Sequence, residues 1–305
     1  MGRDLRVMLA AGALLVGAVG CTASPPTVTP GPATEDPSGT ETATAQAEPM
    51  TVEVLNTDVS VGFERVAFRL KDASGVPIST AASVEGTFNR VSQIAPDQRV
   101  AQKVASGEAA YFGSDLPSGG AWAVYSEFDA SGPWWFDVTA TVGDWTGAGR
   151  AEIDVTGKSA TPRVGDPPPA DTPKVGPDTP LASLTSDPDP LEALYTQSLA
   201  DAKAAGKPAV VLFTSAKHCP ESACAATLQQ FKTAQANMGG QAVFAQVETH
   251  DLEDPTQLSD TAKAWGLTTE PWTFILSKRG FISARIEGEL TANELQLLLE
   301  REQGA

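Results

Sequence analysis

Residues 208–224 read PAVVLFTSAKHCPESAC. The stretch from Pro208 to Phe213 is apolar without alternation, which suits a strand covered on both faces. Directly after it, Cys219 and Cys224 stand five positions apart, with His218 before the first thiol and Pro220 after it. Such a pair admits three readings: a redox couple, a metal clip or a permanent staple. The run PESACAATLQQFKTAQANMGG that carries the second thiol reads as a helix, since Pro suits a first helical turn and a Gly pair ends the pattern.

Outward from this segment the pattern is α/β. PLEALYTQSLADAKAAGK, residues 190–207, predicts one amphipathic helix with Leu191, Leu194, Tyr195 and Leu199 on a single face, closed by Gly206. QAVFAQVETH reads as a second strand and DPTQLSDTAKAWG as a helix. PWTFILSK and FISARIEGE form a hairpin around Arg279-Gly280, and LTANELQLLLERE is a closing helix capped by Thr291 or Asn293. Residues 191–305 are therefore expected to be one α/β domain.

Gly157 to Pro190 holds nine prolines and reads as a linker over residues 157–190, stiffened toward polyproline II. Residues 50–156 are a different module. Short runs such as RVAFRLKD, VEGTFNR and WWFDVTATV alternate apolar and polar residues between Gly, Pro, Ser and Asp turns. About seven such strands predict an antiparallel β-sandwich. GGAWAVYSEFDASGPWWFDVTATV reads as a hairpin that sends Trp122, Trp135 and Val138 into the core. The module resembles the small immunoglobulin-like domains of bacterial surface proteins, a likeness that implies no particular chemistry.

The formal net charge of −17 makes nucleic acid a poor partner and gives no basic patch for anionic lipid. Membrane attachment has another source. Two arginines precede VMLAAGALLVGAVG, an apolar stretch of 14 residues, which is shorter than the roughly 20 a spanning helix needs. Ala18-Val19-Gly20-Cys21 ends it and resembles the lipobox of bacterial lipoproteins. That resemblance implies a signal peptide over 1–20, a lipid on Cys21, and a protein anchored on the extracytoplasmic face of the cell membrane. The Thr- and Pro-rich segment 21–49 would be a disordered tether. With Cys21 lipidated, Cys219 and Cys224 remain as one even pair in an oxidising compartment.

The order strand, Cys pair, helix, strand, helix, Pro, hairpin, helix resembles the thioredoxin fold. The matching stretches are VVLFTSAKHC leading into a helix, Pro271 in TEPWTFILSKRG, and the terminal helix. The likeness extends to secreted bacterial thioredoxin-like proteins with long cysteine spacing and a Pro-rich approach of the VGDPPPADTP type. It implies a cis Pro271 facing the thiols, with Glu270, Pro271 and Trp272 beside the substrate chain. Cys219 would then lie at the head of the helix, where unpaired N–H groups and the helix dipole favour a thiolate. Cys219 is thus the expected nucleophile and Cys224 the resolving thiol, supported by His218, Pro220 and Glu221.

Two departures sharpen the test. Five positions along an ideal helix separate Cα atoms by about 8.6 Å, whereas a disulfide needs less than about 7 Å. Closure therefore requires Cys219 to lie outside the helix, on a bend at Pro220-Glu221-Ser222. The resemblance also implies a buried carboxylate on the strand beneath the thiols, and here Leu212 and Phe213 stand there. A base must come from Glu221, His218, Glu270 or water.

The function implied is a thiol–disulfide oxidoreductase acting on protein thiols and disulfides, with no cofactor beyond its own redox-active disulfide. Two alternatives stand beside it. Copper-delivering members of the same superfamily use two Cys and a distant His, so Cys219, Cys224 and His250 would suit Cu(I). A structural disulfide would make the chain a binding or adaptor lipoprotein.

Overall fold

In residues 50–156 the alternating runs become strands in two sheets. The computed structural model describes residues 47–113, 116, 118–219 and 222–304. The expected signal peptide, Cys21, most of the tether, Pro220 and Glu221 lie outside the described residues. The upstream strands are β1 (Glu48–Pro49), β2 (Thr51–Val54), β3 (Gly62–Lys71), β4 (Ser83–Ala95), β5 (Gln98–Glu108), β6 (Ala110–Phe112), β7 (Ala121–Phe128), β8 (Gly132–Val142) and β9 (Trp145–Val155). One sheet has the order β1-β9-β8-β4-β5 and the other β2-β3-β7-β6. Between them lies an aromatic core in which Phe88 stacks on Phe136 at 4.6 Å and meets Phe128 edge-on at 5.3 Å.

Two expectations in this module are corrected. β7 and β8 do not form a hairpin: β7 pairs with β3 and β6, and β8 pairs with β4 and β9 in the opposite sheet. Consecutive strands both carry inward aromatics because each contributes to a different wall of the same core. Trp122 and Val138 are buried as expected, but Trp135 is not, and Trp134 takes its place in the core. Side chains alternate along a strand, so Trp134, Phe136, Val138 and Ala140 share the inner face. Trp135 lies outside, with the Arg150 guanidinium 4.1 Å from its ring centre.

The downstream domain contains α1 (Leu199–Ala204), β10 (Ala209–Phe213), α2 (Ser222–Met238), β11 (Val243–Val247), α3 (Asp260–Ala264), β12 (Trp272–Leu276), β13 (Ile282–Glu287) and α4 (Ala292–Gly304). Its sheet has the order β11-β10-β12-β13, with β10 parallel to β11 and antiparallel to β12. β10 is buried along its length because both faces are covered. Val210 and Leu212 face the α2 and α4 side with Phe231 and Leu299, while Val211 and Phe213 face Trp265 and Phe274.

The single helix expected over 190–207 is instead a 3-10 turn at Glu192–Tyr195 followed by α1. Ser198 breaks it. Its hydroxyl accepts from the Asp201 amide while the Asp201 carboxylate accepts from the Ser198 amide, so the helix restarts on a capping box. The helix expected over DPTQLSDTAKAWG shrinks likewise to α3, which starts after the Ser259 cap. At α4, Thr291 is the cap, accepting from the Glu294 amide at 3.2 Å, and Asn293 lies within the helix.

The Pro-rich stretch 157–190 is packed against the domain rather than spanning open solvent. Gly165 and Asp166 pair with Ile282 through two backbone hydrogen bonds. The Trp265 indole donates to the Ala170 carbonyl at 3.2 Å, and Glu248 accepts from Thr185 and Ser186. At Gly266 any side chain would collide with the Ala160 carbonyl, 2.0 Å from where a Cβ would sit.

Ala45–Ala305 forms one compact unit, and buried ion pairs join sandwich to α/β domain within it. Arg285 of β13 donates to Glu64 of β3 at 2.9 Å, to Ser159 and Thr161 at 2.7 and 2.6 Å, and to the Asp58 carbonyl at 2.6 Å. Arg65, the next residue of β3, donates to Glu294 of α4 at 2.5 and 2.8 Å, and Tyr125 donates to the same carboxylate. Thr57 and Asp58 donate backbone amides to Glu287.

Candidate functional site

The chain leaves β10 through Thr214 and Ser215 into a turn, and Cys219 ends that turn with its amide on the Ser215 carbonyl at 3.3 Å. α2 starts at Ser222, so Cys219 stands outside the helix and Cys224 inside its first turn. The two sulfurs are bonded, with Cα atoms 6.3 Å apart. The late helix start removes the geometric obstacle that a continuous helix would impose. Cys219 is half-buried and Cys224 is 2% exposed, so Cys219 is the more accessible residue of the pair. The 17-residue helix points its N-terminus toward this bend, placing partial positive charge where a thiolate would form.

The Glu270-Pro271 peptide is cis, as the thioredoxin resemblance implies. Cys219, Cys224 and Glu270 have ligand atoms within 4.8 Å of one another. Glu270 is held from two sides. Its Oε2 accepts from the Ser215 amide at 2.6 Å, and its Oε1 lies 3.1 Å from His250 Nδ1. The Ser215 hydroxyl accepts from the His250 amide at 3.0 Å and stands 3.2 Å from Nδ1. Leu212 and Phe213 fill the strand beneath, fully buried. The carboxylate beside the sulfurs thus comes from the cis-proline loop.

Of the residues singled out in the sequence, Cys219, Cys224 and Glu270 come together, and the cis Pro271 follows Glu270 in the chain. His218 is half-buried in the turn before Cys219. His250 sits behind Glu270. Trp272 is 2% exposed and packs with Phe274, its indole donating to Thr269 at 2.9 Å, so its ring belongs to the core. Ser215, which orders both Glu270 and His250, has no signal in the sequence.

Once reduced, the two sulfurs and Glu270 form the set that could share a metal ion among the described residues, and His250 lies outside that cluster. Two thiolates would favour a soft ion, while the carboxylate is a hard donor.

Residues 195–303 match a family described as the thioredoxin-like domain. No curated protein matches the chain. Among solved structures, a thiol:disulfide interchange protein of the thioredoxin family from Chlorobium tepidum TLS aligns at 16% identity and a TM-score of 0.30, covering 35% of this chain and 85% of its own. A redesigned β-sandwich protein aligns at 10% identity and a TM-score of 0.20, covering 37% of this chain and 98% of its own. The PKD domain of the human VPS10 domain-containing receptor SorCS2 aligns at 14% identity and 0.19, covering 47% and 97%. Residues 195–303 are a thioredoxin-like domain that carries a bonded Cys219–Cys224 pair at the head of α2, downstream of a two-sheet β-rich module.

Proposed function

We propose that the chain is an extracytoplasmic thiol–disulfide oxidoreductase, anchored by lipid on Cys21, that exchanges electrons with protein thiols and disulfides through Cys219 and Cys224. The observation that carries this reading is the convergence of one more accessible cysteine, its bonded and buried partner, a carboxylate and a cis-proline loop at a helix N-terminus. A permanent staple has no need of a carboxylate beside it.

In the reducing direction the Cys219 thiolate attacks a substrate disulfide, forming a mixed disulfide and releasing one substrate thiolate. The Cys224 thiolate then attacks the Cys219 sulfur, closing the 219–224 disulfide and releasing the second. Two electrons pass to the substrate, and the two protons lost by the enzyme thiols end on the substrate thiols. Glu270, within 4.8 Å of both sulfurs, would accept the proton that a thiol gives up and hand it on. The oxidising direction is the same sequence reversed.

Redox titration with thiol trapping tests the reading. A two-electron transition above roughly −300 mV is expected, and Cys224→Ser should retain substrate as a mixed disulfide on Cys219. A bond that stays closed through that range would make the pair a staple. For the anchor, intact mass of membrane-extracted protein should show lipid lost in Cys21→Ser; an unmodified wild-type chain would remove that part of the reading.

A further inference from the structure

A cleft of about 530 Å³ opens between the β-sandwich and the cis-proline loop. Ala223, beside Cys224, lines it together with Glu270 and Pro271, so it abuts the redox site. Its opposite wall is not thioredoxin-like at all: Arg69 of β3 and Ser118 come from the sandwich. The crossed ion pairs of Arg65 and Arg285 hold that wall in place.

The charges in the cleft are unequal. Arg65 is committed to Glu294, which leaves Arg69 against the carboxylates of Glu270, Glu287 and Glu289. Backbone amides hold Glu270 and Glu287 without cancelling their charge. Arg69 is 37% exposed, donates to the Gly120 carbonyl at 3.3 Å, and stands 4.0 Å from Glu289 Oε2. Oε2 also accepts from the Ser118 hydroxyl. The other oxygen, Oε1, is buried with no hydrogen-bond partner among the described residues. An unpaired buried carboxylate oxygen leaves the Glu289 charge poorly compensated, and an ammonium or guanidinium entering the cleft that Glu289 lines would offset that charge. An acidic side chain there would meet three carboxylates, inside a chain of net charge −17.

We infer that this cleft receives a polypeptide segment bearing Lys or Arg within a few residues of its reacting cysteine, and that the β-sandwich makes the selection through Ser118 and Arg69, which position Glu289. The inference rests on the oxidoreductase reading and adds to it a substrate class and a role for the upstream module.

The test uses the full chain and three peptides that differ only in having Lys, Ser or Glu on both sides of one disulfide-bonded cysteine. Each rate is divided by that of free dithiothreitol on the same peptide, which removes intrinsic reactivity. The Lys peptide is expected to exceed the Glu peptide about tenfold at low salt. The ratio should fall toward one near 1 M salt and in Glu289→Gln, whose amide oxygen still accepts from Ser118. Equal rates for the three peptides, or a ratio unchanged in Glu289→Gln, would overturn the inference while leaving the oxidoreductase reading intact. A small neutral disulfide, bis(2-hydroxyethyl) disulfide, serves as the separate control. If the wild-type protein fails to reduce even that, the redox reading falls and the inference with it.

Discussion

A carboxylate reaches the two sulfurs from the residue before Pro271, not from the strand beneath them, where Leu212 and Phe213 are buried. Glu270→Gln separates the two things this carboxylate does. Gln still accepts from the Ser215 amide, so the loop keeps its anchor. It cannot take a proton, which should slow exchange, because general-base catalysis typically contributes 10²–10⁴-fold. It also removes a negative charge beside the thiols, which would favour the thiolate and speed attack. The first effect is expected to dominate, giving roughly a 10²-fold loss with bis(2-hydroxyethyl) disulfide at pH 7 in stopped-flow measurements. Faster exchange in the variant would show that Glu270 acts on the sulfurs only through its charge. Glu270 was legible as a candidate because it adjoins Pro271. Its partner Ser215 was not: the two are 55 residues apart, and only the adjacency of β10 and β12 joins them.

Elements were legible where local signals agreed and illegible where a cap competed with a longer pattern. β10, β11 and the β12–β13 hairpin fall where apolar runs and Arg279-Gly280 put them, and Gly280 takes a positive φ of 78° at that turn. The late start of α2 follows from a distance argument, since a disulfide five positions apart excludes a continuous helix between its ends. The break before α1 was hidden because Leu194, Tyr195 and Leu199 keep a helical spacing across it. Ser198 decides otherwise, its capping box satisfying amides that a continuous helix would have used. β7 and β8 carry correct strand patterns, yet alternation says which side of a strand is apolar and not which neighbour it pairs with.

At the scale of the described molecule, the sandwich, the Pro-rich stretch 157–190 and the α/β domain are locked by charges withdrawn from water. Arg285 and Glu64 show how tightly. Burial pushes the Glu64 carboxyl above its ordinary range, against the opposing pull of Arg285 and the Ser60 hydrogen bonds. Arg285→Met leaves that carboxylate unpaired and is expected to cost about 3–5 kcal/mol at pH 7 in denaturant unfolding. The sign with pH follows from the direction of the shift. A carboxyl whose folded value is raised holds its proton in the folded state at pH values where the unfolded chain has lost it, so stability falls as pH rises through that window. Without Arg285 the value rises further, so the loss should be smallest near pH 4 and grow toward pH 7. Glu64→Leu in the same chain should recover most of it. A pH-independent loss, or no recovery in the double variant, would mean that Arg285 acts through its contacts with Asp58, Ser159 and Thr161 instead.

Local chemistry sufficed for the two modules, the thiol pair and the late helix, because periodicity, turn residues and bond lengths act over a few positions of the chain; the cis Pro271 followed from the thioredoxin resemblance instead. What required the folded molecule was everything carried by contacts between distant residues. These are the assignment of β7 and β8 to opposite walls, the binding of the Pro-rich stretch to Trp265 and Glu248, the seating of Glu270 on Ser215, and the sandwich residues opposite the cis-proline. Such contacts depend on which surfaces meet after burial, and side-chain order along one chain does not encode that separately from the packing of the whole.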